Sequence, residues 1–215
     1  AGNSRPHTHP TMKRILMFST DRRIFTPGSP VRARIASYGT LCERLHVIVL
    51  TRRRDRFAPM ELGPNVYVQP TGSRFRLWYL VDVWHIASAL LRSGDRAPWI
   101  VSCQDPFETG LVGYLLRRRF AVPLQLQVHT DLFSPHFGAH SFTNRVRVRL
   151  ARLLIPRADG IRAVSARVRD SIAARFPSAA PRITVVPIFV DTAAIAKAVR
   201  RLRVARAGGG PARAI

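Results

Sequence analysis

Cysteine, lysine and acidic side chains are all scarce in this sequence of 215 residues. Two cysteines cannot form the disulfide framework of a small secreted domain, so Cys42 and Cys103 are expected to be buried thiols in a reducing cytoplasm. No run approaches the ~20 apolar residues of a membrane-spanning helix. Residues 1–11 are too polar for a signal peptide and are interpreted as a disordered leader. These absences predict a cytoplasmic protein.

Arginine supplies nearly all of the charge. Lys13 and Lys197 are the only lysines among 35 basic residues, and only 12 acidic residues oppose them, which gives a formal net charge of +23. One interpretation is an anionic partner, such as a lipid surface, a nucleic acid or a phosphorylated substrate. The other is a coding bias toward arginine on ordinary solvated faces, because the arginines are spread along the chain. Under the first interpretation, the chain binds anionic vesicles at low salt and leaves them as salt rises.

Apolar runs alternate with helical patterns along most of the chain, which predicts an α/β fold with a doubly wound parallel sheet and helices on both faces. Beyond residue 191 the composition becomes rich in alanine and arginine, and we expect a terminal helix and a flexible tail over 192–215. Strands are predicted at 13–19, 45–50, 65–69, 99–103, 123–129, 160–164 and 182–186. Helices are predicted at 30–42, 75–91, 107–118, 143–154 and 165–176.

Polar residues follow the predicted strands at their carboxyl ends, where open parallel sheets bind ligands. Gly28 and Ser29 lead into a helix whose free backbone donors suit a phosphate or a sugar hydroxyl. His129 is the candidate catalytic residue, because a strand-end histidine followed by Asp131 has no obvious packing role. The candidate substrate-binding residues are Asp21, Gly28, Ser29, Asp105, Phe107, Gly110, Asp131 and Ser165.

Several of these candidates also have a purely structural interpretation, and the sequence leaves both open. Asp105 and Ser165 each stand where a helix cap is expected. Asp21 can close a turn, and His129 can cap its strand through a backbone hydrogen bond. If His129 acts on a ligand, Asp131 or Asp105 would hold the tautomer of its imidazole.

Neither a metal nor an organic cofactor is expected. His129, Asp131, His136 and His140 do not have the tight spacing of a metal site. A nicotinamide site needs a Gly-x-Gly-x-x-Gly turn after a strand, and the first loop has only Gly28. The phosphate-binding Walker pattern is also absent.

Four segments together resemble the N-terminal, acceptor-side domain of the family-four retaining glycosyltransferases, whose GT-B fold pairs two Rossmann-like domains. The resemblance covers about residues 13–191, and it depends on the order and spacing of the segments. These segments are Ser102 to Gly110, Gln127 to Asp131, Gly160 to Ser165 and Val186 to Asp191.

The resemblance implies a hexosyltransferase that moves a sugar from a nucleotide-sugar donor to a sugar or lipid-linked acceptor without a metal. It places His129 and the Gly28 loop at the cleft between the domains, and Asp105 near the acceptor pocket. The family binds its donor mainly through a second domain with basic residues and a paired-glutamate motif. Residues 192–215 cannot supply that domain, so the chain is expected to be incomplete and inactive alone.

Two other hypotheses stay open. One is a basic α/β binding module for anionic lipid or nucleic acid, suggested by the arginine-rich helix at 143–154 and placing the protein on the inner face of the membrane. Aromatic residues are not interleaved with the arginines as base stacking requires, so no specific nucleic acid is expected. The other hypothesis is a subunit that receives its donor domain from a separate chain.

Overall fold

The computed structural model describes residues 13–93 and 98–187, so the predictions for 1–11 and 192–215 lie outside the described residues. Within these ranges, one eight-stranded sheet is flanked by six α-helices. The strands are β1 Arg14–Ser19, β2 Arg44–Val49, β3 Met60–Gly63, β4 Val66–Pro70, β5 Trp99–Cys103, β6 Leu124–Val128, β7 Gly160–Ala163 and β8 Ile183–Val185. The helices are α1 Pro30–Tyr38, α2 Tyr79–Arg92, α3 Glu108–Phe120, α4 Pro135–Ala139, α5 Phe142–Leu154 and α6 Ala166–Arg175.

The strand order is β3-β4-β2-β1-β5-β6-β7-β8, and every neighbouring pair except β3 and β4 is parallel. The predicted α/β fold with a doubly wound parallel sheet is therefore confirmed, and the one antiparallel pair lies at the edge of the sheet. Strand β3 was not among the predicted strands; it pairs antiparallel with β4 and has an irregular register between Glu61 and Gly63. Antiparallel neighbours need only a short turn, here Pro64 and Asn65, so this strand requires no crossover helix.

The two faces of the sheet are covered unequally. Helices α2, α3, α5 and α6 pack on one face, here called the four-helix face, against Leu16, Phe18, Leu126 and their neighbours. Helix α1 packs on the other face, here called the α1 face, against the side chains of β1, β2 and β4. Side chains alternate between faces along a strand, so each strand contributes to both layers.

Helix α3 approaches the sheet closely because two of its residues are glycines. A Cβ atom at Gly113 would lie 2.5 Å from Cys103 Sγ and 2.7 Å from Leu124 Cδ1. A Cβ atom at Gly110 would lie 2.8 Å from the backbone oxygen of Asp105. Gly110, a predicted site residue, thus allows the first turn of α3 to pack against the carboxyl edge of β5.

The helix predicted at 75–91 begins later, at Tyr79, because the chain before it is held in another conformation. Arg52 and Ser73 form an isolated parallel bridge, and Arg53 N donates to Ser73 O at 2.9 Å. Residues Arg76–Trp78 form a 3₁₀ turn in which Leu77 is 90% exposed. The apolar residues that suggested an earlier helix start therefore belong to a surface segment. Helix α4 was not predicted either.

Both cysteines are buried and free of disulfides, as expected from their apolar segments. Burial raises the pKa of each thiol, that of Cys103 most strongly. Among the helices of the described ranges, none has the length and apolar character needed to cross a membrane.

Candidate functional site

The carboxyl ends of β1, β5 and β6 are adjacent in the sheet, so Asp21, Asp105 and His129 follow strands at one edge, as predicted. Two clefts reach this edge from opposite faces of the sheet. The histidine cleft lies on the α1 face and is lined by Arg34, Tyr38, Gln104, Gln127, His129 and Arg162 among others. The phenylalanine cleft lies on the four-helix face and is lined by Thr20, Arg22, Tyr79, Asp105, Phe107 and Arg147 among others.

The floor of the histidine cleft is a hydrogen-bonded row of polar side chains across β5, β6 and β7. Ser102 Oγ donates to Gln125 Oε1 at 2.9 Å, and Gln127 Nε2 donates to Ser102 Oγ at 3.1 Å. Arg162 Nη1 donates to Gln127 Oε1 at 3.1 Å, and Arg162 Nε donates to the backbone oxygen of Val186 at 3.3 Å. Buried polar groups that are paired in this way carry little desolvation penalty. The cleft, about 460 Å³ in volume, therefore has a fixed polar floor.

His129 stands at the rim of this cleft, directly after β6. Partial burial lowers the pKa of its imidazole, and the positive charges of Arg162 and Arg34 lower it further. The ring is therefore neutral near pH 7, with one nitrogen that donates and one that accepts. A neutral imidazole beside two guanidinium groups can bind a hydroxyl while the arginines attract an anionic ligand.

The carboxylates expected to hold the tautomer of His129 are engaged elsewhere, so that prediction is wrong. Asp131 Oδ1 accepts a hydrogen bond from Ser171 Oγ at 2.7 Å, and its Oδ2 lies 3.4 Å from Arg167 Nε. Asp131 therefore ties the loop after β6 to α6. Within residues 13–93 and 98–187, no hydrogen bond joins His129 to Asp131 or to Asp105.

Asp105 organises the start of α3. Its Oδ1 accepts from Phe107 N at 2.8 Å and Thr109 N at 3.2 Å, and its Oδ2 accepts from Thr109 Oγ1 at 2.7 Å. Burial raises the pKa of this carboxyl, although the three hydrogen bonds partly oppose that shift. Asp105 thus fixes the backbone that presents Phe107 to the cleft.

The phenylalanine cleft combines an aromatic surface with paired charges. Arg147 Nε lies 2.8 Å from Glu108 Oε1, and its guanidinium carbon lies 5.6 Å from the centre of the Phe107 ring. Elsewhere in the lining of this cleft, Arg22 Nη2 donates to Tyr79 Oη at 3.0 Å. The volume of the phenylalanine cleft is about 710 Å³. An aromatic face flanked by charged hydrogen-bonding groups suits a ligand with both apolar and hydroxyl-rich surfaces.

Gly28 and Ser29 start α1 on the α1 face. Gly28 has φ +72, a conformation that favours glycine, and the space its Cβ would occupy is open. Ser29 Oγ accepts from Arg32 N at 3.1 Å and donates to the backbone oxygen of Arg23 at 2.6 Å. These residues and Glu61 line a smaller cleft of about 340 Å³ that is separate from the other two.

Asp21 and Ser165 have the local roles that the sequence left open. Arg23 Nη2 lies 2.7 Å from Asp21 Oδ2, and this interaction lowers the pKa of the Asp21 carboxyl. The backbone N–H of Arg23 also donates a hydrogen bond to Asp21 Oδ1 at 3.1 Å. Ser165 Oγ accepts from Val168 N at 3.3 Å and caps α6. Both residues therefore help to shape the carboxyl edge through its turns.

No group of three histidine, cysteine or carboxylate side chains in the described part of the chain could hold a metal ion. Sequence reasoning missed the floor of the histidine cleft, although a signal was present. In β6 the residues alternate Leu124, Gln125, Leu126, Gln127, Val128, whereas a strand buried on both faces is apolar throughout. That alternation marks one face of β6 as polar.

Comparison with known proteins identifies the family of the chain. The model of Glycosyltransferase Family 4 matches residues 39–194. No curated protein sequence matches the chain.

Solved structures share the fold at low sequence identity. Sucrose-phosphate synthase from Thermosynechococcus elongatus is 15% identical with a TM-score of 0.62, over 89% of this chain and 53% of that chain. UDP-N-acetylglucosamine 2-epimerase from Rickettsia bellii is 8% identical with a TM-score of 0.52, over 93% of this chain and 50% of that chain. The chain thus spans about half the length of these two proteins.

Proposed function

Since this chain belongs to glycosyltransferase family 4, we propose that it forms the acceptor-side domain of an enzyme transferring a sugar from a nucleotide-sugar donor to a sugar or lipid-linked acceptor. The observation that supports this most directly is the position of the two clefts. Both reach the carboxyl edge of one parallel sheet, which is where open α/β sheets bind their ligands.

The phenylalanine cleft is the proposed acceptor site. Phe107, which stacks on Phe137 and contacts Arg147, contributes apolar surface for the C–H side of a sugar ring, while Arg147 and Glu108 offer hydrogen bonds to its hydroxyls. Asp105 and Gly110 act indirectly, since they set the position of the first turn of α3.

His129 is the proposed contact in the catalytic cleft. Its neutral imidazole would hydrogen-bond an acceptor hydroxyl or a hydroxyl of the transferred sugar. We assign it no role as general base and name no protein nucleophile. The donor would be bound mainly by a second domain, where positive side chains and helix N-termini stabilise the leaving diphosphate without a metal or cofactor.

The first experiment measures ligand binding to the chain by calorimetry. Sugar and lipid-linked acceptors should bind, and nucleotide sugars should bind weakly, because most donor contacts lie in the other domain. Turnover of a nucleotide sugar by this chain alone at ~1 per second or more would contradict this division of labour.

The second experiment tests His129 in an active two-domain form of the enzyme. His129→Ala should lower kcat/KM by about 10-fold or more while the free energy of unfolding changes by less than about 1 kcal/mol. His85→Ala is the matched control, because His85 is exposed on α2 outside both clefts. Loss of stability without loss of activity in the folded fraction would make His129 structural.

A further inference from the structure

Two loops at the carboxyl edge expose apolar and cationic side chains side by side. They follow β2 and β4, and α2 begins directly after the second loop. Leu77 is 90% exposed, Trp78 53% and Phe75 49%. We call this the loop surface, and its exposed residues are Arg53, Arg54, Arg56, Phe57, Arg74, Phe75, Arg76, Leu77, Trp78 and Val81.

The loop surface is held in place by contacts beneath it. The bridge between Arg52 and Ser73 joins the two loops, and Thr71 Oγ1 donates to Thr51 O at 3.0 Å. Phe57 stacks on Phe25 with ring centroids 4.3 Å apart. The exposed apolar side chains therefore project from a fixed base.

Charge on the loop surface has one sign. Residues 52–57 and 73–78 contain a single carboxylate, Asp55, which accepts from Arg52 N at 2.8 Å and lies 3.0 Å from Arg22 Nη1. Asp55 is thus paired with an arginine outside these loops, and five exposed arginines surround this one carboxylate. Arginines around protruding aromatic and aliphatic side chains match the interface of an anionic bilayer, where cations meet headgroups and apolar groups enter the acyl boundary.

We propose that the loop surface docks the protein on an anionic lipid bilayer, with Leu77 and Trp78 entering the interfacial region. Arg76 and Leu77 also line the phenylalanine cleft, so docking would bring the mouth of that cleft to the membrane surface. The binding surface does not depend on glycosyl transfer, and it differs from the arginine-rich helix α5 that the sequence suggested.

A bilayer fits this surface better than a nucleic acid does. Single-stranded nucleic acids bind aromatic side chains that present their faces to successive bases. Here the most exposed apolar side chain is the aliphatic Leu77 at 90%, well ahead of Trp78 at 53% and Phe75 at 49%. Aliphatic groups at this exposure gain from hydrocarbon contact and offer no stacking face.

The test measures binding of the whole chain to phosphatidylcholine vesicles with and without phosphatidylglycerol, at low and physiological salt. Leu77→Asp should weaken binding to the anionic vesicles about 10-fold, which corresponds to about 1.4 kcal/mol. Leu115→Asp, which makes the same substitution at an exposed leucine of α3, should change binding by less than about 2-fold. Circular dichroism confirms that both variants fold.

A second pair of variants separates this surface from the overall charge. Arg53→Gln with Arg54→Gln should weaken binding more than Arg118→Gln with Arg119→Gln, which removes the same charge from the end of α3 at the opposite edge of the sheet. Equal losses in the two pairs would overturn the proposal in favour of non-local electrostatic attraction.

Tryptophan fluorescence gives an independent readout. Binding should shift the emission to shorter wavelength, and Trp78→Phe should remove that shift, because Trp84 and Trp99 lie deeper in the protein. Tighter binding to single-stranded RNA than to anionic vesicles, lost in the same variants, would overturn the proposal in favour of a nucleic-acid site. Neither readout uses a donor or an acceptor, so the result stands apart from the outcome of the glycosyltransferase experiments.

Discussion

Successive residues of β6 lie on opposite faces of the sheet, and the two faces differ in their surroundings. On the four-helix face, Leu124, Leu126 and Val128 are almost completely buried under helices. On the α1 face, Gln125 and Gln127 belong to the hydrogen-bonded floor of a cleft. One face of this strand is therefore packed under helices, and the other presents hydrogen-bonded polar groups to a cleft.

The largest effect should come from the packed face. Leu126→Ala should lower the free energy of unfolding by about 3 kcal/mol, because it removes a fully buried side chain and leaves a cavity. Gln125→Ala, one residue away on the other face, should cost about 1 kcal/mol, because it removes one hydrogen bond from Ser102 Oγ. Urea denaturation of both variants measures the difference. Equal costs would show that the two faces do not divide these tasks.

A smaller loss of stability is expected from the polar floor. Gln127→Leu should cost about 1–2 kcal/mol, because Arg162 and Ser102 each lose a buried hydrogen-bond partner. Gln104→Leu, at the rim of the same cleft, is the control and should cost less than about 0.5 kcal/mol. If Gln127→Leu were stabilising, the polar row would not be an ordered part of the fold.

The smallest expected effect is a pH dependence of the free energy of unfolding. It depends on His46 on the four-helix face and on His129 on the α1 face. Burial lowers the pKa of His46, and a hydrogen bond with Gln69 partly opposes the shift. The pKa of His129 is lowered by partial burial and by the charges of Arg162 and Arg34. The folded protein therefore binds fewer protons than the unfolded chain below the ordinary histidine pKa of about 6.5. Stability should be complete above that pH and decrease as the pH falls through it.

Two variants test whether these histidines cause the pH dependence of stability. His129→Gln and His46→Gln should each make the free energy of unfolding less dependent on pH between about 5 and 7, because glutamine does not titrate. The double variant should remove most of the slope in that range. Stability that rises as the pH falls would contradict the lowered pKa values.

The sequence predicted what depends on long apolar runs and on the topology of parallel strands. It predicted the strands at 13–19 and 99–103 and the common edge for Asp21, Asp105 and His129. It did not predict β3, because four residues of an edge strand carry too weak a pattern. Contacts between distant residues were also inaccessible, such as the hydrogen bond that takes Asp131 to Ser171, 40 residues further along the chain.

The position of β1 has a consequence for synthesis on the ribosome. β1 lies in the middle of the sheet, yet its partner strand β5 begins at Trp99, which pairs with Arg14. At roughly 5–20 residues per second, one edge of β1 stays unpaired for on the order of 4–17 seconds after the strand is made. Nascent chains of this protein should therefore recruit chaperones most strongly before β5 leaves the exit tunnel.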